Sequence, residues 1–181
     1  MVLATTEKKE IGLPEGVTAQ LDGYKVTVQG PNGTVTREFA KGKYMISQED
    51  KNIVVSCDYP RRKEKAIVGT ISGHIGNMVK GVTDGFTYKL QIVYSHFPMN
   101  VSVSGNKLVI KNFLGEKFPR ESKIENGVKV EVKGQDITVS GNDKEKVGQT
   151  AANMVLATKI GRKDPRIFGD GIFIINKGEE Q

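Results

Sequence analysis

A pattern near the start of the chain returns 82 positions later: Gly23-Tyr24-Lys25-Val26-Thr27-Val28 comes back as Gly105-Asn106-Lys107-Leu108-Val109-Ile110. Both stretches alternate, the period of a half-buried strand, with Val26 and Val28 matching Leu108 and Ile110 on one face. A repeat of this size means that one folding unit has been doubled, and any fold assigned to the chain must respect that. The correspondence continues downstream. Pro31-Asn32-Gly33 leads into a second strand at 34–39, and Phe113-Leu114-Gly115 leads into one at 117–121. Asn-Gly favours a tight hairpin because both residues tolerate positive φ. Ile53-Val54-Val55-Ser56 then pairs with Ile137-Thr138-Val139-Ser140, and each runs into a helical pattern.

The first helix is predicted over 61–79, with the apolar stripe Ile67, Ile71, Ile75 and Met78, Pro60 at its head and Gly81 past its end. The second is predicted over 144–160, with the stripe Val147, Ala151, Met154, Val155 and Thr158. Asn142 or Asp143 serves as its N-cap and Gly161 as its C′ residue. Each helix precedes another strand, 86–92 or 172–175. The expected fold class is therefore α+β: two tandem copies of a small unit, each an antiparallel or mixed sheet covered on one face by one helix. Residues 1–96 form the first unit and 97–181 the second, the boundary falling near 96–99, where Pro98 interrupts the strand pattern. Gly69, Gly73 and Gly76 lie inside the first helix at a cost of up to about 1 kcal/mol each. They imply close backbone approach, to the sheet or to a partner.

With 181 residues, 37% hydrophobic and 27% charged, the chain can build two small cores and is not a disordered one. No apolar run approaches the roughly 20 residues of a membrane span, and the first ten residues do not read as a secretory signal. Cys57 has no disulfide partner and reads as a small core residue suited to a reducing cytoplasm. On that reading the sequons at Asn32 and Asn100 are chance matches. The net charge of +6 favours polyanionic partners. It is evenly shared, with 13 basic and 10 acidic residues in 1–95 against 14 and 11 in 96–181.

Catalytic constellations are missing from the pattern. His74 and His96 are the only histidines, and with one cysteine they compose no zinc site of ordinary spacing. No phosphate-binding loop, nucleophile elbow or dinucleotide fingerprint occurs. Gly73-His74-Ile75-Gly76 fits the Gly-x-x-Gly loop by which KH domains clamp nucleic-acid backbone, but it falls within the helical stripe and the second copy lacks it. The strongest binding candidate follows the second helix, where Lys159, Arg162, Lys163 and Arg166 outweigh Asp164 and Asp170 on a segment stiffened by Pro165 and opened by Gly161, Gly169 and Gly171. Glycine admits a phosphate close to the backbone, arginine forks across two oxygens, and Phe168 offers a ring for stacking. Arg61-Arg62-Lys63-Glu64-Lys65 at the first helix start is the other basic cluster, either facing an anion or simply solvated.

Several of these motifs are familiar in their order. Gly69-Thr70 with Asn77-Met78-Val79-Lys80-Gly81-Val82-Thr83-Asp84-Gly85-Phe86 resembles the first-unit helix and strand entry of the large-subunit ribosomal protein six family. Gly148-Gln149-Thr150-Ala151-Ala152, the basic segment and Gly169-Asp170-Gly171-Ile172 resemble its second unit. Tyr88-Lys89-Leu90 and Tyr94-Ser95-His96-Phe97-Pro98-Met99-Asn100 are similar to the archaeal and eukaryotic branch. The resemblance implies a non-catalytic structural constituent of the large subunit, in the cytoplasm, without cofactor, metal, membrane or small-molecule substrate. Its partners would be large-subunit rRNA, near the sarcin–ricin loop and the translation-factor binding region, and neighbouring ribosomal proteins. Carried over by position, the rRNA-binding residues are Lys159, Arg162, Lys163, Arg166, Phe168, Gly169, Gly171 and Lys177. Asp170 departs from the more basic run of bacterial relatives and would accept a hydrogen bond from a base, a 2′-OH or Arg166 instead. Two other readings compete: a KH-like single-strand RNA regulator that needs Gly73 and Gly76, and a tandem protein-binding adaptor with no RNA affinity.

Overall fold

In the computed structural model, residues 6–49, 51–95, 97–161, 164 and 167–178 are described. The chain forms two compact units that divide between Gly85 and Phe86. No helix among the described residues is long and apolar enough to cross a membrane.

The first unit contains β1 (Thr6–Gly12), β2 (Thr18–Asp22), β3 (Lys25–Gly30), β4 (Gly33–Glu38), β5 (Met45–Glu49), β6 (Asn52–Asp58) and α1 (Arg62–Thr83). The strands form two antiparallel sheets, ordered β1-β6-β5 and β2-β3-β4. Alternation in β3 and β6 sends Val26, Val28, Ile53 and Val55 inward, where Val68, Ile75 and Val82 of α1 cover them, all at 0% exposure. Each such side chain contributes about 1.5–3 kcal/mol of burial. The helical stripe is shifted from the expected one: Val68 is buried, whereas Ile67 is 45% exposed.

Helix α1 also runs past the expected stop. Gly81 is buried within it, and the residue that breaks it is Gly85, at φ +76°, whose N–H reaches back to Lys80 O. Arg61 is its N-cap, its N–H donating to the Glu64 carboxylate. The turn between β3 and β4 is centred on Pro31-Asn32 rather than on Asn-Gly, because Gly30 and Gly33 pair across it. From that turn Asn32 donates its N–H to Val82 O (2.9 Å) and its side-chain amide to Thr83 O (2.6 Å), closing the end of α1. Two of the three helix glycines meet nothing, and the third meets only the tip of a β1 side chain rather than the sheet backbone. A Cβ at Gly73 or Gly76 would find nothing within 4 Å, and one at Gly69 only the Lys9 Nζ at 3.5 Å.

The second unit contains β7 (Phe86–Val93), β8 (Asn100–Ser104), β9 (Lys107–Lys111), a 3-10 turn (Phe113–Gly115), β10 (Arg120–Lys123), β11 (Val128–Lys133), β12 (Asp136–Gly141), α2 (Lys144–Ala157) and β13 (Gly171–Asn176). Its sheets are β10-β9-β8 and β11-β12-β7-β13, again antiparallel. Strand β7 corrects the expected division at 96/97. It lies between β12 and β13 and buries Phe86, Tyr88, Leu90 and Ile92 in this unit's core, so it belongs to the second copy rather than the first. It pairs with β12 as β1 pairs with β6, which makes it the first strand of the second repeat. Strand β10 starts at Arg120, later than expected, because residues 112–119 form a longer connection. Asp143 caps α2, accepting from Glu145 N–H (2.9 Å), and Val147, Ala151, Met154 and Thr158 are buried on its inner face.

Two predictions follow from the first core. A Cβ on Gly30 would stand 2.8 Å from both the Val82 carbonyl oxygen and its Cγ2. Gly30→Ala is therefore expected to destabilise the unit by about 1–3 kcal/mol, the usual cost of overpacking, read from chemical denaturation; an unchanged midpoint would show that α1 can shift freely. The second concerns pH. The Cys57 thiol, donating to Lys43 O at 2.7 Å, is pushed up by burial and by the nearby Glu64 and Asp58 carboxylates. The Tyr44 phenol, donating to Ala40 O, is pushed up by burial and by Tyr24. Both hold their protons to higher pH when folded, so their contribution is complete below the free thiol's value of about 8.5 and is lost as pH rises through the folded values. The melting temperature should fall from about pH 8.5 upward, and less steeply in Tyr44→Phe.

Candidate nucleic-acid interface

A helix leaves its last four carbonyls without partners, and how they are satisfied decides how the following segment departs. At the end of α2 the Thr158 hydroxyl donates to Val155 O (3.1 Å), and the Lys159 N–H donates to Leu156 O (3.1 Å). Arg120 completes the set, one guanidinium nitrogen donating to Ala157 O (2.9 Å) and Lys159 O (3.2 Å). Arg120 is itself held on two sides. It grips the Glu116 carboxylate through two bonds of 2.8 and 2.6 Å, and its guanidinium lies 4.3 Å from the centroid of the buried Phe113 ring.

The segment that leaves this anchor returns to it. Ile172 N–H donates to Thr158 Oγ1 at 3.0 Å, so residues 159–171 form a loop closed at its base. Asp170 fixes the returning limb. It is 2% exposed, and its Oδ1 accepts from the N–H (3.1 Å) and hydroxyl (2.9 Å) of Ser95, just past β7. The expected contact of Asp170 with a base or a 2′-OH is thereby corrected: the carboxylate faces inward and holds the loop.

The expected site residues divide into three groups. Lys159 is exposed at the outgoing limb, Gly169 is exposed with nothing within 4 Å of a Cβ position, and Lys177 is exposed beyond β13. Phe168 is half-buried, its N–H donating to Asp164 O (3.0 Å), and Gly171 is buried, with the Phe173 ring 3.4 Å from where a Cβ would stand. Gly171 thus serves packing of the base. Arg162, Lys163 and Arg166 lie outside the described residues. Gly161, expected to end α2 in a left-handed conformation, does not adopt positive φ; Thr158 and Arg120 replace that device.

In the first unit Arg62 and Lys63 are exposed at the start of α1, and Lys65 pairs with Glu7 at 3.0 Å. The Gly-x-x-Gly motif lies in the middle of α1 with Ile75 at 0% exposure, so no clamp loop exists there. The His74 ring lies 6.3 Å from that of Phe39, and His96 is outside the described residues. Among the described residues no three His, Cys, Asp or Glu side chains gather as metal ligands. Sequence reasoning missed Arg120, Thr158 and Ser95, whose partners are distant in the chain. The one local signal was an arginine following an exposed Phe118-Pro119 pair at the end of a long connection.

Arg120→Lys keeps the charge but cannot span the Glu116 carboxylate and two carbonyls together. It is expected to cost about 1.5–3 kcal/mol, the range for hydrogen bonds to charged groups, measured as a lower denaturation midpoint. Wild-type stability in this variant would exclude Arg120 as the anchor.

Comparison with known proteins accords with the duplication. The profile of the family described as ribosomal protein L6 matches twice, over residues 13–85 and 97–171. The matched stretches start after β1 and after β7 respectively, in keeping with the equivalence of those strands. The chain is similar to "Large ribosomal subunit protein uL6" of Methanobrevibacter smithii, 48% identical over 98% of this chain and 99% of the relative. It is also similar to the proteins of that name from Aeropyrum pernix, 52% identical over 93% of each chain, and Methanosphaera stadtmanae, 51% identical over 94% of each.

Proposed function

We propose that this chain, which belongs to the ribosomal protein L6 family, is a structural constituent of the large ribosomal subunit that binds large-subunit rRNA through the loop at 159–171. The observation that carries this reading is the near full-length similarity, at about half identity, to archaeal proteins named for the large subunit. The loop gives it a physical basis. Cations at Lys159, Arg162, Lys163 and Arg166, with Lys177 beyond β13, neutralise phosphates and release counterions. Gly169 leaves room for close backbone approach, and Phe168 lends a ring edge. Folded RNA is recognised mainly by shape and backbone, which suits a rigidly based loop better than a base-reading groove. By the resemblance of its motifs, the binding site is near the sarcin–ricin loop and the translation-factor binding region, beside neighbouring large-subunit proteins in the cytoplasmic ribosome. The role is non-catalytic and needs no cofactor.

Replacing Arg162, Lys163 and Arg166 together with alanine should remove binding to deproteinised large-subunit rRNA at moderate salt, with circular dichroism unchanged. In low salt, where residual binding is measurable, the log–log salt slope should fall by roughly 2–3, about one per lost phosphate contact. Wild-type affinity in the triple variant would sink the assignment of the loop. Failure of the native protein to sediment with the large subunit would sink the ribosomal reading itself.

A further inference from the structure

Apart from the segment after the helix, the two copies differ at the connection between the second and third strands of the small sheet. In the first unit β3 and β4 are joined by two residues, Pro31 and Asn32, and that suffices to close α1. In the second, β9 and β10 are joined by the eight residues 112–119. Part of the extra length has a structural use: Phe113 is 1% exposed in the core, and Glu116 holds Arg120. The rest does not. Phe118 is 84% exposed, more than any other large apolar side chain described, and Lys117 beside it has no ion-pair partner among the described residues. The connection also takes up sparsely populated backbone, with Asn112 and Leu114 at φ +61° and +50°. Leucine rarely adopts that region, and such conformations persist where the surroundings enforce them and function uses them.

We propose that Phe118 and Lys117 form a second RNA contact flanking the 159–171 loop, the ring stacking on an unpaired base and the ammonium meeting an adjacent phosphate. The inference rests on the rRNA-binding reading above and adds to it a site that the loop cations do not supply. Three observations favour RNA over a protein neighbour. The connection's one exposed cation is Lys117, with Lys111 at the end of β9 just before it, while its one carboxylate, Glu116, is paired with Arg120. Arg120, two residues beyond Phe118, donates to Lys159 O, so this connection and the basic loop start from one anchor. A lone ring next to cations also suits base stacking, which works one ring at a time. A protein hot spot instead requires a ring set in a wider sealed contact.

The test uses the full chain and deproteinised large-subunit rRNA across a salt series. Phe118→Ala should weaken binding about tenfold, the effect of losing one stacked base, with the salt slope unchanged. Phe118→Tyr should restore affinity, and Lys117→Ala should lower the salt slope by about one. Because Phe118 is solvent-exposed, the melting temperature should not move in any of these variants. Wild-type rRNA binding together with unaltered binding by Phe118→Ala overturns this inference and leaves the loop assignment standing. Phe118→Ala that binds rRNA normally but dissociates from intact subunits assigns the ring to a protein neighbour and likewise overturns it. Absence of wild-type rRNA binding overturns both readings.

Discussion

The carbonyl end of each helix must be closed by something outside the helix, and both copies close it from the same place in the fold. In the first, Asn32 reaches Val82 O and Thr83 O from the turn after β3. In the second, Arg120 reaches Ala157 O and Lys159 O from the start of β10, after the equivalent strand β9. Unsatisfied buried carbonyls would cost about 1–3 kcal/mol each, so these contacts tie helix to small sheet more specifically than apolar packing does. They also set the close approach of Gly30 to Val82 in one copy and the departure of the basic loop in the other. The exchange of a neutral amide for a guanidinium matters, because an arginine brings a longer reach and needs its own carboxylate, and Glu116 sits on the lengthened connection that provides it.

Local patterns were legible in the sequence; contacts across the chain were not. Alternation placed Val26, Val28, Leu108 and Ile110 correctly because burial on a strand depends on parity alone. On α1 the same kind of reasoning chose Ile67, which is exposed, over Val68, because both fit a three-to-four spacing and only the packed sheet decides between them. The expected stop, Gly81, is buried within α1, and the glycine that takes positive φ is Gly85, four residues on, where the helix has already passed its last core contact at Val82. Strand β7 follows α1 directly and so read as the end of the first unit. Its hydrogen-bond partners in β12 and β13 lie some fifty to eighty residues further on. Periodicity carries no information about that.

The candidate site divides along the same line. Its cations were visible because they are close together in sequence, and a cluster of lysine and arginine is an electrostatic footprint that needs no tertiary information to be seen. Its supports were not, since Arg120, Ser95 and Thr158 act on residues 37, 75 and 14 positions away. Asp170 shows the consequence. Read in its local setting, an acid within a basic loop points to a ligand, whereas its burial and its two bonds to Ser95 make it an internal tie.

Equal net charge in the two halves leaves placement as the physical difference between them. A loop free at both ends would lose conformational freedom on meeting RNA, and that loss subtracts from affinity. Here the ends are fixed to each other by Thr158 and Ile172, to Ser95 just past β7 through Asp170, and to β10 through Arg120. The two limbs of the loop are thus placed on folding rather than on binding. The first unit has no equivalent: Arg62 and Lys63 project from a helix end, and β7, which follows α1 almost at once, leaves no room for a closed loop. Strand β13 is what allows the second copy to have one, since it gives the returning limb an edge of β7 to join. The doubled scaffold provides two cores of similar design, and the added edge strand turns the segment after the second helix into a based loop.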